Sequence, residues 1–416
     1  MNTIAARGSG IGCQVDGART IGMRTALTTQ QMKARPPMVF APVFVLVLFL
    51  ALVVTTQRAL EETESLSISQ ITVVNPVAYQ ESHLDSASLA YTSSITFTPV
   101  STIYLPLIQH ALVSDFAPCV GAPSGKVSTP ERSRALIAYS TNGLAFQRPA
   151  NPNDSILIDR AGVPDGVVLP SGRILVYFVN GCRPTDPANT GTAVAVSDQH
   201  GAPGSWVFKH VRYLNVPDGY SPMPFDPNVV LLPDGNLRMF TSMFGMVNGS
   251  PEIQTHSFRS TDGGFTFTYE GLRYEGILDP ENYRFSDTNW QIITGSLPTN
   301  PVGWAMSTDG GNTFQTLGMF PNPEGAPHEI AVTDEPDQYR VYVSTPTGIK
   351  SYHSAAAPWT TWTEEPGYRL QVDSTTGLES CEVAVPTVLK LGPGNYLMVY
   401  LTVIPGCGCS EDPICP

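Results

Sequence analysis

Acidic side chains recur where five β-rich segments begin, and these residues are the best suited in the sequence to do chemistry. Each precedes an apolar run that is followed by a turn and a second β-rich run. The five are Asp165, Asp226, Asp287, Glu329 and Glu382. Carboxylates that lie close together disfavour each other's ionisation, so one can stay protonated while another is ionised. General acid and base catalysis of bond hydrolysis needs such a split.

Turn formation is the alternative reading for each of these residues. An Asp before a strand often accepts hydrogen bonds from backbone N–H groups and has no further role. Glu is a poor turn former, however, and two of the five residues are Glu. The recurrence of acids at equivalent positions therefore favours a shared site lined by the five segments.

Other side chains near these segments have the chemistry to bind a substrate. Arginine pairs with anionic groups, histidine can assist proton transfer, and tryptophan can stack on a sugar ring. The candidate binding residues are Arg160, Arg238, Arg284, His328 and Trp290. A place on the rim or in the core is the alternative for each. We expect no metal and no cofactor, since the sequence shows no phosphate loop, nucleotide motif or zinc-type ligand spacing.

The acidic residues belong to a series of inner hairpins. Residues 164–177 and 226–240 share a short apolar strand, a tight Gly-containing turn and a second strand. Looser copies begin at Asp287, His328 and Glu382. The series predicts five equivalent strand pairs.

A second repeat alternates with the first. Residues 260–267 and 307–314 share the pattern S-x-D-x-G-x-T-F, and weaker copies begin at Ser140, Ser197 and Ser354. In such a turn the Asp accepts backbone N–H bonds and the glycines adopt positive φ. We interpret these segments as five outer hairpin turns.

The order of the two series predicts the fold. The first outer hairpin precedes every inner one, and the last inner hairpin has no outer one after it. An all-β, five-bladed β-propeller over about residues 130–405 explains this order, if the hairpin at 135–146 completes the blade of residues 382–402. Such closure also hides strand edges.

Two family resemblances follow from these motifs. The S-x-D-x-G-x-T-F turns resemble the Asp-boxes of sialidase-type propellers, which lie on the blade rim and are structural; the Phe-Arg-Ile-Pro motif of that family is absent. The Asp–Asp–Glu order resembles the five-bladed inverting glycosidases, such as arabinanases and xylosidases. The second resemblance implies Asp165 as general base, Asp226 or Asp287 as the residue that modulates the acid, and Glu329 as general acid.

The chain before the propeller divides into segments of distinct composition. Residues 1–37 form a basic segment expected to stay cytoplasmic, and the uncharged apolar run 38–54 predicts a membrane anchor or a signal peptide. Residues 55–112 are rich in Ser and Thr and predict a stalk. Residues 113–416 are expected to form the propeller domain with a Cys-rich tail. The organisation predicts an exported protein, anchored at the cell surface or secreted.

Cysteines beyond the apolar run agree with export. There are six: Cys119, Cys182, Cys381, Cys407, Cys409 and Cys415. An even number in an oxidising compartment predicts disulfides. We expect the tail cysteines to be joined to the domain or to each other.

The predicted function is that of an exported carbohydrate-active propeller, most simply a glycoside hydrolase. The formal net charge of −13 disfavours nucleic acid as a partner. The expected partners are a carbohydrate and, through the N-terminal segment, the membrane. A non-catalytic propeller that binds glycans or proteins is the alternative, and an exo-sialidase is a further one. Carboxylates about 5–10 Å apart in an open pocket would favour hydrolysis. A filled channel, or carboxylates all bound to backbone N–H groups, would favour binding alone.

Overall fold

The computed structural model describes the propeller domain. The described residues are 112–126, 128–182, 191–221, 223–247, 249–275, 278–295, 303–320, 326–334, 338–354, 361–409 and 414–415. The predicted cytoplasmic segment, the apolar run and all but the last residue of the predicted stalk lie outside them. Within the described ranges, no helix has the length and apolar character needed to cross a membrane.

The described elements are almost all strands. The entry segment contains β1 (Gly125–Lys126), α1 (Thr129–Arg132), β2 (Ser133–Ser140) and β3 (Ile156–Asp159). Blade 1 contains β4 (Ala161–Val168), β5 (Ile174–Asn180), β6 (Thr192–Ser197) and β7 (Val207–His210). Blade 2 contains β8 (Arg212–Leu214), β9 (Phe225–Leu231), β10 (Leu237–Val247), β11 (Ser250–Ser260) and β12 (Thr266–Glu275).

The remaining blades follow in chain order. Blade 3 contains β13 (Leu278–Arg284), β14 (Trp290–Gly295), β15 (Gly303–Ser307) and β16 (Gln315–Met319). Blade 4 contains β17 (Ala326–Val332), β18 (Tyr339–Thr345), β19 (Gly348–Ser354) and β20 (Thr363–Glu364). Blade 5 contains β21 (Ser380–Gly392) and β22 (Asn395–Val403), and β23 (Ile414–Cys415) pairs with β1 in the tail.

The blades form a closed ring around a channel. The innermost strand of each blade contacts the innermost strand of the next blade. The order is β4, β9, β13, β17 and β21, and β21 contacts β4 again. Each blade is an antiparallel sheet, except that β8 adds to the outer edge of blade 2 in parallel. The prediction of a five-bladed propeller is confirmed.

Closure occurs as predicted. Strand β2 pairs with β22 from Ser133 opposite Val403 to Ser140 opposite Tyr396. Strand β3 then adds outside β2, so the sheet order is β21-β22-β2-β3. The beginning of the domain therefore supplies the two outer strands of its last blade.

The outer turns have the predicted hydrogen bonds. In blade 2, the Ser260 hydroxyl accepts the N–H of Gly264 at 2.9 Å, and the Asp262 carboxylate accepts the N–H of Thr266 at 3.0 Å. The turn of blade 3 repeats this arrangement around Ser307 and Asp309. Each of these turns joins the third strand of a blade to its fourth, which places these aspartates on the blade edge and away from the channel.

Neighbouring blades are joined through these turns. The hydroxyl of Tyr177 in blade 1 donates to the carbonyl of Gly264 in the blade 2 turn, and the hydroxyl of Tyr342 in blade 4 donates to Gly143 in the blade 5 turn. Both tyrosine side chains are fully buried, so these bonds satisfy polar groups within the apolar core.

Disulfides connect all six cysteines of the domain. The pairs are Cys119–Cys182, Cys381–Cys409 and Cys407–Cys415. The first attaches the entry segment to blade 1, and the second attaches the tail to blade 5. The predicted oxidation of the six cysteines, with the tail joined to the domain, is confirmed.

Candidate active site

A bulge interrupts every inner strand at the same level of the channel. In all five blades, the pairing register between the innermost strand and the neighbouring strand is shifted at this point. A proline accompanies each bulge: Pro164, Pro227, Pro280, Pro327 and Pro386. Proline is tolerated here because the innermost strand is the edge of its sheet. A bulge re-aims the next side chain, so these five positions determine what lines the channel.

One side chain from each blade follows the bulge and forms a ring, which we call the channel ring. Its members are Asp165, Asn228, Glu281, Glu329 and Thr387. All five are buried. The ring therefore contains three carboxyl groups, one amide and one hydroxyl.

Members of the channel ring bind the backbone of the next blade. The Asp165 carboxylate accepts the N–H of Val229, and the Asn228 carbonyl oxygen accepts the N–H of Asn282 at 3.0 Å. Glu281 accepts the N–H of Ile330 in the same way. The repetition of one bond from blade to blade shows that the ring holds the inner strands together.

The ring closes between blades 4, 5 and 1. Glu329 accepts both the hydroxyl of Thr387, at 2.7 Å, and the N–H of Val388, at 3.2 Å. The Thr387 hydroxyl also lies 3.5 Å from the Asp165 carboxylate. Its single proton cannot serve both carboxylates fully, and the shorter contact to Glu329 is the stronger bond.

Three carboxyl groups of the ring are crowded together. Oxygens of Asp165, Glu281 and Glu329 all lie within 4.8 Å of one another, close enough to hold a metal ion. Burial raises the pKa of Glu329 to about 7. Burial and the charge of Glu329 raise the pKa of Asp165 and Glu281 well above the ordinary range. Each group also accepts a backbone N–H, and this favours a structural role for the cluster.

A second, more exposed layer lies just before the ring, and we call it the mouth layer. In four blades the residue before the bulge proline has positive φ: Val163 (41°), Asp226 (51°), Asp279 (56°) and Val385 (48°). Positive φ is rare for residues other than glycine, especially for valine. Because the conformation recurs in four blades, it belongs to the fold, and two of its four positions carry carboxylates.

Asp226 and Asp279 form a pair in the mouth layer. The Ser242 hydroxyl bonds to Asp226 and accepts the N–H of Asp279 at 2.9 Å. Asp226 is buried, whereas the side chain of Asp279 is 22% exposed. Burial, followed by the negative charge of Asp279, raises the pKa of Asp226 well above its ordinary range. The pair therefore places a buried carboxyl group with a raised pKa beside a more exposed one.

His328 of blade 4 contacts the mouth layer. Its Nδ1 atom lies 3.3 Å from the Asp279 carboxylate, and its side chain is largely buried. Because His328 precedes the ring residue Glu329 on β17, it links the mouth layer of blade 3 to the inner strand of blade 4. The contact fixes the orientation of Asp279 in the mouth.

The structure brings together some of the predicted acids and separates others. Asp165 and Glu329 lie in the channel ring, and Asp226 lies in the mouth layer. Asp287 does not open an inner strand: it lies in the turn between β13 and β14, with its side chain 78% exposed and 3.0 Å from Arg284. Glu382 is exposed and lies upstream of the ring position on β21. The prediction that Asp287 opens an inner strand was wrong, whereas Glu382 does lie at the start of the inner strand β21.

The predicted binding residues are mostly structural. Arg160 donates to the carbonyl of Gly121 in the entry segment, and Arg284 pairs with Asp287 at the surface. Arg238 pairs with Glu270 and donates to the blade 3 turn. Trp290 is buried beneath the Arg238 guanidinium, 5.6 Å from it. Of the five candidates, His328 contacts the mouth layer, through Asp279.

Sequence reasoning missed Asp279, Glu281 and Asn228. The missing signal was proline: Asp226-Pro-Asn228 and Asp279-Pro-Glu281 are equivalent tripeptides in consecutive blades. Alignment on proline, and not on the first acid before an apolar run, places the ring residue directly after the proline in four blades. In blade 4 the ring residue Glu329 comes one position later, after His328.

A surface cavity of about 440 Å³ lies at the outer edge of blade 2. Leu214, Arg259 and Asp262 are among its lining residues. The Asp262 carboxylate is already bound within its turn, so the cavity offers no free catalytic group at that position.

Comparisons with known proteins give structural similarities of low identity. No protein-family model matches the chain, and no curated protein matches it. Among solved structures, the β-xylosidase RS223 matches with 10% identity, over 57% of this chain and 91% of the other, with a TM-score of 0.42. An α-L-arabinofuranosidase from Lactobacillus brevis matches with 11% identity, over 58% and 82%, with a TM-score of 0.43.

A third similar structure is an N-acetylgalactosamine deacetylase from F. plautii, in complex with a blood group B trisaccharide. It matches with 12% identity, over 67% of this chain and 85% of the other, with a TM-score of 0.41. None of these similarities assigns an activity to the chain.

Proposed function

We propose that this protein is a glycoside hydrolase whose acid and base lie in the mouth layer. The observation that carries the proposal is the pair of Asp226 and Asp279, one carboxyl group buried with a raised pKa and its partner more exposed and in contact with His328. Two carboxyl groups in contrasting environments are the machinery of glycosidic bond cleavage.

The roles follow from the environments of the two groups. Protonated Asp226 donates its proton to the leaving oxygen, and the Asp279 carboxylate acts on the opposite side, either on water or on the anomeric carbon. Ser242 holds both residues through one hydroxyl, and His328 orients Asp279. Removal of either carboxyl group should therefore disable the reaction without removing a contact between blades of the channel ring.

The alternative catalytic pair is Asp165 and Glu329 in the channel ring. Their crowding and their raised pKa values suit acid–base chemistry, and oxygens within 4.8 Å suit a retaining arrangement better than an inverting one. The mouth layer is favoured instead because the side chain of its Asp279 is 22% exposed, whereas Asp165 and Glu329 are both buried.

A propeller that binds glycans without cleaving them is the second candidate function. The observation in its favour is that buried, hydrogen-bonded side chains converge from all five blades on the channel. In that case the mouth layer would be a binding surface only.

We further propose that the protein is exported and acts outside the cytoplasm, anchored at the cell surface or secreted. The pairing of all six cysteines of the domain supports this, because disulfides persist in oxidising compartments. The apolar run at residues 38–54 supports it at the sequence level.

The test is hydrolysis of a panel of aryl glycosides, including a sialoside, by wild type and by charge-neutral variants. We expect Asp226→Asn and Asp279→Asn to lose about 10²–10⁴ in kcat/KM. Asp287→Asn, a matched change at an exposed aspartate, should stay within about twofold. A comparable loss of kcat/KM that occurs only in folded Asp165→Asn and Glu329→Gln would place the catalytic site in the channel ring. No turnover by wild type would favour the propeller that binds glycans without cleaving them.

A further inference from the structure

The central hairpin of blade 2 extends beyond its sheet. Strands β10 and β11 pair without interruption up to Val247 opposite Ser250. The pairing of β10 with β9 ends earlier, at Ser242 opposite Phe225. The extension therefore projects from the end of the blade at which β9 begins, which is the end that carries Asp226.

One face of this hairpin continues the mouth layer. Alternate residues of a strand share a face, so Phe244 and Met246 lie on the same face as Ser242, whose hydroxyl holds the Asp226–Asp279 pair. At 3.2–3.4 Å per residue, Phe244 lies about 7 Å along the strand from Ser242. The apolar face thus begins beside the proposed catalytic pair.

Two side chains of this face are exposed, and one of them stacks on a neighbouring ring. Phe244 is 51% exposed and Met246 is 62% exposed. The ring of Phe225 stacks on that of Phe244, with centroids 5.0 Å apart and planes inclined by 27°. We call Phe225, Phe244 and Met246 the aromatic platform.

The opposite face of the hairpin holds it in place. Gly245 lies against the ring of Tyr220, and a Cβ atom there would come within 2.3 Å of the ring. The Ser221 N–H donates to the Phe244 carbonyl at 2.8 Å, and the Tyr220 hydroxyl donates to Gln254 at 2.9 Å. Packing thus accounts for one face of the hairpin, whereas on the other face Phe244 and Met246 remain exposed within the part of the chain that the structure describes.

We propose that the aromatic platform binds a second sugar ring of the substrate, next to the ring whose bond is cleaved. This inference rests on the proposed function and names its substrate class: neutral saccharides of at least two rings. An aromatic face packs on the apolar C–H face of a pyranose and leaves its hydroxyl groups in water. The charge of Asp279, which also raises the pKa of Asp226, disfavours anionic sugars because like charges repel.

The test combines binding and kinetics on the full chain. Binding of neutral oligosaccharides to wild type, Phe244→Ala and Leu317→Ala is measured by NMR titration, with Leu317→Ala as a matched control at an exposed apolar residue of blade 3. We expect Phe244→Ala to weaken binding about fivefold and to raise KM for two-ring substrates similarly, while kcat/KM for a one-ring glycosyl fluoride stays within about twofold. Leu317→Ala should match wild type throughout.

The possible results distinguish sugar binding by the aromatic platform from the proposed hydrolase activity. Oligosaccharide binding that is lost in Phe244→Ala, with no turnover by wild type, would support the platform and reject the hydrolase. Equal binding by wild type and Phe244→Ala, or no binding by wild type, would overturn the platform. Self-association that Phe244→Ala abolishes, without any sugar binding, would also overturn it and would make the face a protein interface.

Discussion

Carboxylates of the same chemical type have different surroundings in the two layers around the channel. In the ring, Asp165, Glu281 and Glu329 each accept a backbone N–H from a neighbouring blade. In the mouth layer, the side chain of Asp279 is 22% exposed and has a histidine beside it. The carboxylates of the two layers therefore differ in their partners and not in residue type.

The ring also makes stability depend on pH in an unusual direction. The pKa of Glu329 is about 7 in the folded protein, against an ordinary value of 4.5. A raised carboxyl pKa means that the folded state binds more protons than the unfolded state between these values. The contribution of Glu329 to the free energy of unfolding is therefore fully present below about pH 4.5 and is lost as the pH rises through 7.

Replacing Glu329 by Gln should remove much of this dependence. The amide oxygen can still accept the bonds from Thr387 and Val388, and it carries no charge. We expect Glu329→Gln to be more stable than wild type by about 2–3 kcal/mol at pH 8 and to show little gain at pH 5.

Urea unfolding at both pH values measures the change, with Glu382→Gln as a control at an exposed glutamate of blade 5. The same stability difference at pH 5 and pH 8 would contradict the proposed ionisation of the ring.

At the scale of elements, each inner strand is defined by its bulge and not by an apolar pattern. Asp287 precedes the apolar run Trp290–Ile293, which led sequence reasoning to place an inner strand there. That run is β14, the second strand of blade 3. The true inner strand β13 reads LDPENYR, because a strand that faces a polar channel has no need for alternating apolar residues.

The outer turns were predictable because their chemistry is local. Ser, Asp and Gly occupy fixed positions, and their hydrogen bonds lie within a few residues of sequence. The channel layers depend on contacts between blades, such as Val229 with Asp165, that no local pattern encodes. The repeated proline was the available sequence signal.

Loss of an outer turn should cost stability and spare activity. Asp262 accepts the Ser260 hydroxyl and the N–H groups of Phe265 and Thr266. Its replacement by Ala leaves these donors without their acceptor, so we expect the free energy of unfolding to fall by about 1–3 kcal/mol.

Thermal unfolding tests this expectation, with Asp287→Ala as a control whose surface ion pair contributes about 0–1 kcal/mol. An Asp262→Ala variant as stable as Asp287→Ala would show that the turn does not depend on its aspartate.

For the whole molecule, blade number and closure could be predicted from the sequence because repeats count blades directly. The unpaired hairpins at the two ends of the series required a shared blade, and β2 pairs with β22 accordingly. The repeats could not predict which cysteines pair to attach the C-terminal tail, because six cysteines allow many pairings.

The disulfides give a whole-molecule prediction. We expect the unreduced domain to contain no free thiol among its six paired cysteines and to release peptides linked as Cys119–Cys182 and Cys381–Cys409. Mass spectrometry of a non-reducing digest measures both. Three or more free thiols, or a different partner for Cys119, would contradict the arrangement of the entry segment and the tail.

The central claim is that Asp226 is the general acid. A leaving-group series tests it most directly, through kcat/KM of wild type and Asp226→Asn on aryl glycosides whose phenols range from acidic to weakly acidic. A good leaving group departs without protonation, so we predict a loss of about 10²–10⁴ for the poorest leaving groups and a small loss for the best. A loss independent of the leaving group would contradict the assignment.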